Sequence, residues 1–234
     1  MSKLLDKKLI LTNIPLEIFE AIDSTNTYLL NYARYDKQIC LAETQTAGHG
    51  RENRSWHSPF GQNLYFSLRL PLKKFMGLSL VVSLAVIKTL ENFAPEAEFF
   101  AKWPNDVMCQ NKKLAGILVE IQHNTHAVIG TGININMSQD PWISLKDITG
   151  KEINRNEFCT FLITTLLDYI KEFEIKNFDV FIPEWDKIDY LKNKTITIQN
   201  ITGVMSGVNN KGNLILTLPS GEQREIHSGE AHQV

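Results

Sequence analysis

The densest group of anion-binding residues in the sequence is the loop TAGHGRENRSW at residues 46–56. Gly48 and Gly50 can expose bare backbone amides, and Arg51 and Arg54 add guanidinium groups that bind phosphate or carboxylate oxygens in a bidentate manner. The alternative is an ordinary polar loop between two strands, with solvated arginines. The glycine spacing does not match the Walker phosphate loop, which ends in Gly-Lys-Ser/Thr at the start of a helix. A P-loop enzyme is therefore disfavoured.

Two lysines and an aspartate meet in a second cluster, in which KWPND at residues 102–106 precedes KLAGILVE at residues 113–120. Asn105 and Asp106 offer hard oxygen ligands of the kind that Mg²⁺ takes. Lys113 begins the following strand, from which its ammonium group can reach a ligand near the loop. The alternative is a hairpin with Asn-Asp in its turn and solvated lysines.

Two further motifs can be interpreted in more than one way. GTGININ at residues 130–136 is an apolar strand whose glycines remove side chains where another group approaches the backbone, and Asn134 could bind the edge of a purine. A bulged strand or a close sheet contact explains this motif equally well. Ser24 and Thr25 form a helix N-cap, with a second use as ligand donors as the alternative.

Hydrophobic periodicity indicates a mixed framework around these motifs. Helical spacing follows Ser24 and recurs at residues 77–93 and 154–176. Strand patterns occur at residues 38–44 and 63–70 and in EFFAKW, KLAGILVEIQ and HAVIGTGININ. Because these strands follow one another with few helices between them, the central sheet should be mixed or antiparallel. The predicted fold class is α+β, with a mixed central sheet and packed helices.

The character of the sequence changes near Tyr190 to short strand-like runs separated by turn residues, which predicts a small C-terminal β-barrel of SH3 size. The 234 residues suffice for one large core and one small domain. We therefore expect a catalytic domain at residues 1–188 and an SH3-like domain at 189–234. No tract typical of a flexible linker separates them, so the two should pack together.

The composition excludes several classes of partner. Lys and Arg total 24 against 26 for Asp and Glu, so the net charge of -2 provides no overall attraction to nucleic acid or an anionic membrane. The most apolar stretch, residues 78–87, is half the length of about 20 that a membrane span requires. No secretory signal is recognisable, which predicts a cytoplasmic protein. Cys40, Cys109 and Cys159 fit neither a disulfide framework nor a zinc site.

Taken together and in this order, STN, QTAGHGRENRSW, NLYFS, KWPND, KLAGILVE and GTGININ resemble the catalytic domain of biotin protein ligases over about residues 15–190. The C-terminal runs resemble the SH3-like domain that follows in that family. The resemblance implies class II synthetase-like folding and an ATP-dependent enzyme. Such an enzyme forms biotinyl-5'-AMP from biotin and ATP with Mg²⁺, then transfers biotin to a lysine of the biotin carboxyl carrier protein of a carboxylase.

The resemblance also implies a monofunctional member of the family. Bifunctional members carry an N-terminal DNA-binding domain before the STN helix, whereas only about 20 residues precede Ser24 here. We expect neither nucleic acid nor membrane as a partner. Family members are often dimers built through sheet edges near the GTGININ strand, so we expect a homodimer.

By this resemblance, the biotin end of the site would be lined by Ser24, Thr25, Gln45, Gly48, Arg51, Lys113, Gly116 and Leu118. The ureido ring would be bonded by Ser24, Thr25 and Gln45. Lys113 would lie between the biotin carboxylate and the α-phosphate, Gly116 would leave room for the ligand, and Leu118 would touch its apolar rings.

The adenylate end would be formed by Arg51, Arg54, Trp56, Asn105, Lys113 and Asn134, with Trp56 stacking on adenine. Asn105 and Asp106 would hold Mg²⁺. Lys113, Arg51 and Asp106 would be the catalytic residues, and Asp106 is also the candidate base for the acceptor lysine.

One residue departs from the family pattern, in which the loop usually reads Gly-Arg-Gly-Arg. His49 replaces the first arginine. A neutral imidazole is a weaker anion partner than guanidinium, which bears on how tightly the loop retains the adenylate. Two rival functions are a lipoate or octanoyl protein ligase and a non-catalytic biotin sensor; retention of Arg51, Arg54, Asp106 and Lys113 argues against the sensor.

Overall fold

The computed structural model describes residues 4–234, which form a seven-stranded sheet, a five-stranded sheet and packed helices. The helices are α1 (Thr25–Tyr32), α2 (Leu78–Phe93), α3 (Leu145–Thr149), α4 (Arg155–Lys176) and α5 (Ile182–Ile188). The strands of the first sheet are β1 (Leu16–Ile22), β2 (Gln38–Gln45), β3 (Leu64–Pro71), β4 (Phe100–Lys102), β5 (Asp106–Cys109), β6 (Lys112–Gln122) and β7 (His126–Ile133). The strands of the second are β8 (Thr195–Ile198), β9 (Ile201–Val208), β10 (Leu214–Thr217), β11 (Gln223–Ile226) and β12 (His232–Gln233).

The large sheet has the strand order β1-β2-β3-β7-β6-β5-β4. Strands β1 and β2 are parallel, and every other neighbouring pair in this sheet is antiparallel. The mixed sheet confirms the predicted α+β class. Strand β1 was not predicted, because its residues alternate poorly between buried and exposed positions at the edge of the sheet.

Side-chain alternation gives the sheet two different faces. Leu41 belongs to the large core, where α2 packs on the sheet and α4 packs on α2. Its neighbour Cys40 points the opposite way and packs with Leu29 of α1 and with Val128. Helix α2 is apolar nearly all round because it is buried between α4 and the sheet. The other face, beneath α1, is left for polar chemistry.

The second sheet is antiparallel, with the order β11-β10-β9-β8-β12, and agrees with the predicted small C-terminal β domain. It packs against the first part of the chain through specific contacts. Trp103 Nε1 donates to Gly212 O, between β9 and β10, at 3.0 Å, and Asp189, which precedes β8, forms a parallel bridge with Ala101. A domain boundary after residue 188 stays a prediction.

The GTGININ motif lies inside the large sheet and not at its edge. Strand β7 is bonded on one side to β3 and on the other to β6, so its backbone is not at a sheet edge. The edges of this sheet are β1 and β4, and a homodimer stays a prediction. Within residues 4–234, no helix combines the length and apolar character needed to cross a membrane.

Candidate active site

A cleft of about 1000 Å³, including its open mouth, lies on the α1 face of the large sheet. It collects the residues that the sequence singled out: Ser24, Thr25, Gln45, Arg51, Arg54, Trp56, Asn105, Asp106, Lys113, Gly116, Leu118 and Asn134. Gly48 is the exception, because it lies behind the lining, where a Cβ would come 2.8 Å from Gln45 Nε2. Motifs far apart in sequence thus converge on one cavity.

The inner end of the cleft is polar and tightly bonded. Ser24 is the N-cap of α1 and accepts a hydrogen bond from Thr27 N, so its capping role and its place in the lining coexist. Thr25 N donates to Gln45 Oε1 at 2.9 Å, and Gln45 Nε2 lies 3.4 Å from Ser58 Oγ. The capping role of Ser24 is confirmed, and the role of Ser24 and Thr25 as ligand donors stays a prediction.

Trp56 occupies a slot made by two glycines. Gly116 and Gly132 are partners across β6 and β7. A Cβ at Gly116 would lie 2.8 Å from Trp56 Cζ3, and one at Gly132 would overlap the indole. The space at Gly116 therefore holds the Trp56 ring, while Gly116 also lines the cleft, and its contact with a ligand stays a prediction.

Opposite charges meet at the mouth of the cleft. Lys113 Nζ lies 2.7 Å from Asp106 Oδ1 and 5.3 Å from the centre of the Trp56 ring. Asn105 Nδ2 donates to Ile117 O at 2.8 Å, and Asn105 Oδ1 accepts from Arg51 Nη1 at 3.4 Å. KWPND and the glycine-arginine loop thus contact each other, which the sequence alone left open.

The glycine-arginine loop is itself folded back. Gly50 N donates to Arg54 O at 2.7 Å, and His49 pairs with Ser55 in an antiparallel bridge. His49 Nδ1 lies 3.2 Å from Ala47 O, and the side chain is on the lining of the cleft. An anion entering the cleft therefore meets an imidazole at this point of the loop.

The C-terminal sheet supplies a contact that sequence reasoning missed. Arg51 Nη1 donates to Gly229 O at 3.3 Å, and Arg54 Nη1 lies 2.6 Å from Glu230 Oε2. Partial burial acts to raise the pKa of Glu230, but the hydrogen bond and charge of Arg54, with His232 and Lys102 nearby, hold that pKa below its usual range. The local sequence around Arg54 and around Glu230 does not predict that these two residues pair.

The cleft lining also contains aromatic residues that were not predicted. His57 and Trp142 stack with ring centres 5.7 Å apart and planes 8° apart, and both line the cleft. Asn134 is buried, and its Nδ2 donates to Lys113 O at 3.3 Å and Ile143 O at 3.2 Å. Its amide is thereby oriented within the lining.

The residues at the mouth fit a metal ion that arrives with a nucleotide. Asp106 is the one carboxylate on the lining, and residues 4–234 contain no cluster of three or more His, Cys, Asp or Glu side chains that could hold a metal. Mg²⁺ commonly binds through one or two carboxylates together with substrate phosphates. Asp106 and Asn105 match that pattern and not that of a dedicated all-protein metal centre.

Comparison with known proteins covers the same residues. The model of the biotin/lipoate A/B protein ligase family matches residues 18–134. The bifunctional ligase/repressor BirA of Escherichia coli (strain K12) is 35% identical over 220 residues, which are 85% of this chain and 68% of that protein. The biotin--[acetyl-CoA-carboxylase] ligase of Paracoccus denitrificans is 29% identical over 227 residues, 86% of this chain and 93% of that protein.

Comparison with solved structures also finds biotin protein ligases. The biotin protein ligase from Aquifex aeolicus in complex with biotin and ATP superposes with a TM-score of 0.83 at 31% identity, over 93% of this chain and 97% of that one. Similarity of sequence and of structure therefore agree over the strands and loops that build the cleft. The chain belongs to the biotin/lipoate A/B protein ligase family.

Proposed function

We propose that this protein is an ATP-dependent biotin protein ligase, which forms biotinyl-5'-AMP and then transfers biotin to a lysine of a biotin carboxyl carrier protein. The observation that carries the proposal is the cleft itself. Its polar inner end adjoins Trp56, and its mouth brings together Lys113, Arg51 and Asp106. Relatives with extensive coverage are named as biotin ligases, and the Aquifex structure holds biotin and ATP.

In the first step, a biotin carboxylate oxygen attacks the α-phosphorus of ATP, and the bond to pyrophosphate breaks. Two anions must approach, so negative charge accumulates at the transferring phosphorus. Lys113 and Arg51 offset this charge from fixed positions, and a preorganised group of this kind commonly contributes about 3–4 kcal/mol to lowering the barrier. No covalent intermediate with the protein is needed.

Asn105 and Asp106 would hold Mg²⁺ that enters with ATP. When bound, the ion offsets charge on the phosphate oxygens. The Asp106–Lys113 pair, 2.7 Å apart, places the carboxylate next to the lysine that would contact the α-phosphate.

The binding roles follow the two ends of the cleft. Ser24, Thr25 and Gln45 would bond the ureido ring, and Leu118 would contact the apolar rings of biotin. Trp56 offers its ring to adenine, and Asn134, fixed by its two donated hydrogen bonds, would bind the adenine edge.

In the second step, the ε-amine of the acceptor lysine attacks the mixed anhydride, and AMP leaves. A free lysine has a pKa of about 10.4 and must lose a proton before it attacks. Asp106 is the carboxylate on the lining that could accept that proton.

The rival functions are less well supported. The ligases of Mycobacterium tuberculosis and Paracoccus denitrificans and the Aquifex structure are named for biotin and not for lipoate. A non-catalytic biotin sensor would not need Arg51, Arg54, Asp106 and Lys113 at one mouth, yet all four line the cleft.

The test is to incubate the protein with ATP, Mg²⁺ and biotin, with lipoate in a parallel reaction, and to measure pyrophosphate and the acyl-adenylate. We expect both products with biotin. Lys113→Ala should lower adenylate formation by 100-fold or more, on the order of 3 kcal/mol, with the fold retained in circular dichroism. An absence of products with both acids would contradict the proposed function. Full activity of Lys113→Ala would contradict the role of Lys113.

We further propose two domains, residues 1–188 and 189–234, a homodimer, and a cytoplasmic location. All three cysteines are buried and unpaired, which is compatible with a reducing compartment. Light scattering with and without biotin and ATP measures the dimer, and a mass equal to one chain under both conditions would contradict it.

A further inference from the structure

We propose that Ser67, Asn26 and Glu120 are positioning residues that fix the direction of the Thr25 hydroxyl proton, so that Thr25 Oγ1 acts as a hydrogen-bond acceptor toward the cleft. The proposal rests on the proposed function for the identity of the ligand. It assigns a specificity role to three side chains beneath the inner end of the cleft.

Glu120 fixes which groups donate and which accept in this chain of hydrogen bonds. Asn26 is buried, and its side-chain amide nitrogen lies 2.8 Å from Glu120 Oε2 and 3.4 Å from Leu118 O. A carboxylate and a carbonyl only accept hydrogen bonds, so Nδ2 of Asn26 must face them. The amide oxygen of Asn26 therefore faces the other way. Gly130 permits this placement, because a Cβ there would overlap the Asn26 amide.

Ser67 transmits this direction to Thr25. It is fully buried, and its Oγ lies 2.6 Å from Asn26 Oδ1 and 2.7 Å from Thr25 Oγ1. Ser67 has one hydroxyl proton, and Asn26 Oδ1 has none, so the proton of Ser67 goes to Asn26. The short contact between the two hydroxyl oxygens then requires the proton of Thr25, because two facing lone pairs would repel each other.

Gln45 does not change this outcome. Thr25 N–H donates to Gln45 Oε1 at 2.9 Å, which fixes the amide oxygen of Gln45 beside Thr25. The hydroxyl oxygen of Thr25 lies 3.2 Å from the same amide oxygen. Whether the Thr25 proton points to Ser67 or to Gln45, it points into the protein. Thr25 Oγ1 therefore presents only lone pairs to the cleft.

This polarity selects a ligand that brings its own N–H donor. A ureido N–H of biotin satisfies Thr25 Oγ1, whereas an acceptor atom in the same place meets another acceptor. Sites built to pair one hydrogen-bonding group discriminate strongly against an analogue that lacks it. The expected selectivity is for a cyclic urea over a cyclic carbamate, in which a ring oxygen replaces that N–H.

The experiment measures binding of biotin and of the cyclic carbamate analogue by calorimetry. We expect the wild-type protein to prefer biotin by roughly 100-fold or more. Ser67→Ala leaves only the longer, 3.2 Å contact with Gln45 Oε1 to hold the Thr25 proton, so the proton can turn into the cleft and the preference should fall by roughly ten-fold. Ser83→Ala is the matched control, because it removes an equally buried hydroxyl that is bonded within α2.

Two variants of Glu120 test the relay without altering Ser67. Glu120→Gln can still turn an amide oxygen toward Asn26 and should keep the preference. Glu120→Met leaves only the 3.4 Å contact with Leu118 O to hold the Asn26 amide, so the preference should fall as in Ser67→Ala. A structural role alone would lower the melting temperature without changing the ratio of the two affinities.

The outcomes separate this inference from the proposed function. A wild-type protein that does not bind biotin contradicts the proposed function. Wild-type preference for biotin that persists unchanged in Ser67→Ala and Glu120→Met contradicts the relay alone. If Ser67→Ala does not fold, the test is the preference for biotin in the two Glu120 variants. A preference equally high in Glu120→Gln and Glu120→Met would contradict the relay.

Discussion

Lys113 is the residue on which the proposed chemistry depends most. It contacts the Asp106 carboxylate at 2.7 Å and faces the ring of Trp56. An ammonium group held between a carboxylate and an aromatic face keeps one position without needing a rigid stem. The lysine is therefore placed before any anion arrives, which is the condition for electrostatic catalysis.

His49 is the residue by which this chain departs from the pattern of its family. It lies on the cleft lining, bonded to Ala47 O and not to a charged group. We predict that His49→Arg slows release of the adenylate roughly three- to ten-fold, because a guanidinium forms stronger, charge-assisted hydrogen bonds with phosphate. A single-turnover assay that follows biotinyl-adenylate in solution measures this rate. An unchanged rate of release would show that His49 does not face the adenylate.

At the scale of the elements, two neighbouring strands create the space for Trp56. Gly116 on β6 and Gly132 on β7 are cross-strand partners, and neither position can carry a Cβ without meeting the indole. The loop between β2 and β3 is thus held against β6 and β7 by one aromatic ring. Only the pairing of these strands puts the two glycines side by side.

We predict that Gly132→Ala raises the KM for ATP roughly ten-fold, because the new methyl group displaces the Trp56 ring. A double-mutant cycle with Trp56→Ala separates this cause from general damage. If Gly132 acts through Trp56, Gly132→Ala should have no further effect on the KM in the Trp56→Ala background. Full additivity of the two changes would contradict the explanation.

At the scale of the whole molecule, the C-terminal sheet closes on the loop through the Arg54–Glu230 pair. Both side chains are about half exposed, at 49% and 42%, so the pair stabilises the fold by no more than about 1 kcal/mol. The same hydrogen bond raises the pKa of Arg54. Because the pair is weak, Arg54 can exchange Glu230 for a nucleotide phosphate at little cost in stability.

We predict that Glu230→Gln lowers the KM for ATP about two- to five-fold, because it removes a carboxylate that competes with phosphate for Arg54. The difference should shrink at high salt. Glu172→Gln, which removes an exposed ion pair with Lys176 on α4, is the control and should leave the KM unchanged. A rise in KM for Glu230→Gln would mean that the pair orders the loop for ATP.

A second prediction for the whole molecule concerns the junction before β8. Burial raises the pKa of Asp189 from 3.8 to about 6, so the native state binds a proton more readily than the unfolded state. The free energy of unfolding should therefore fall as pH rises through this window, by roughly 1–3 kcal/mol from this group. Urea denaturation at pH 4.5 and 7.5 should show this decrease in the wild type and a smaller one in Asp189→Asn. An equal decrease in the free energy of unfolding of the wild type and of Asp189→Asn would contradict the assignment of this pH dependence to Asp189.

The sequence by itself predicted most of the elements, and all but one of the predicted site residues line the cleft. Periodicity of apolar residues predicted α1, α2, α4 and the runs of strands, because secondary structure follows from local spacing. The motifs predicted Lys113, Asp106 and the loop arginines, because closely spaced glycines and charged residues indicate an anion-binding site from the local sequence. Weakly alternating β1 and the short helices α3 and α5 were missed for lack of such a pattern.

Only the tertiary structure decided which of these residues meet. The fit of Trp56 over Gly132, the pair of Arg54 with Glu230, and the chain of bonds from Glu120 through Asn26 and Ser67 join positions far apart in sequence. Their contacts depend on strand order, on register and on which face of the sheet each side chain occupies, and a shift of one residue would reverse those faces. Spacing along the chain records none of these quantities, because they arise when the strands pair.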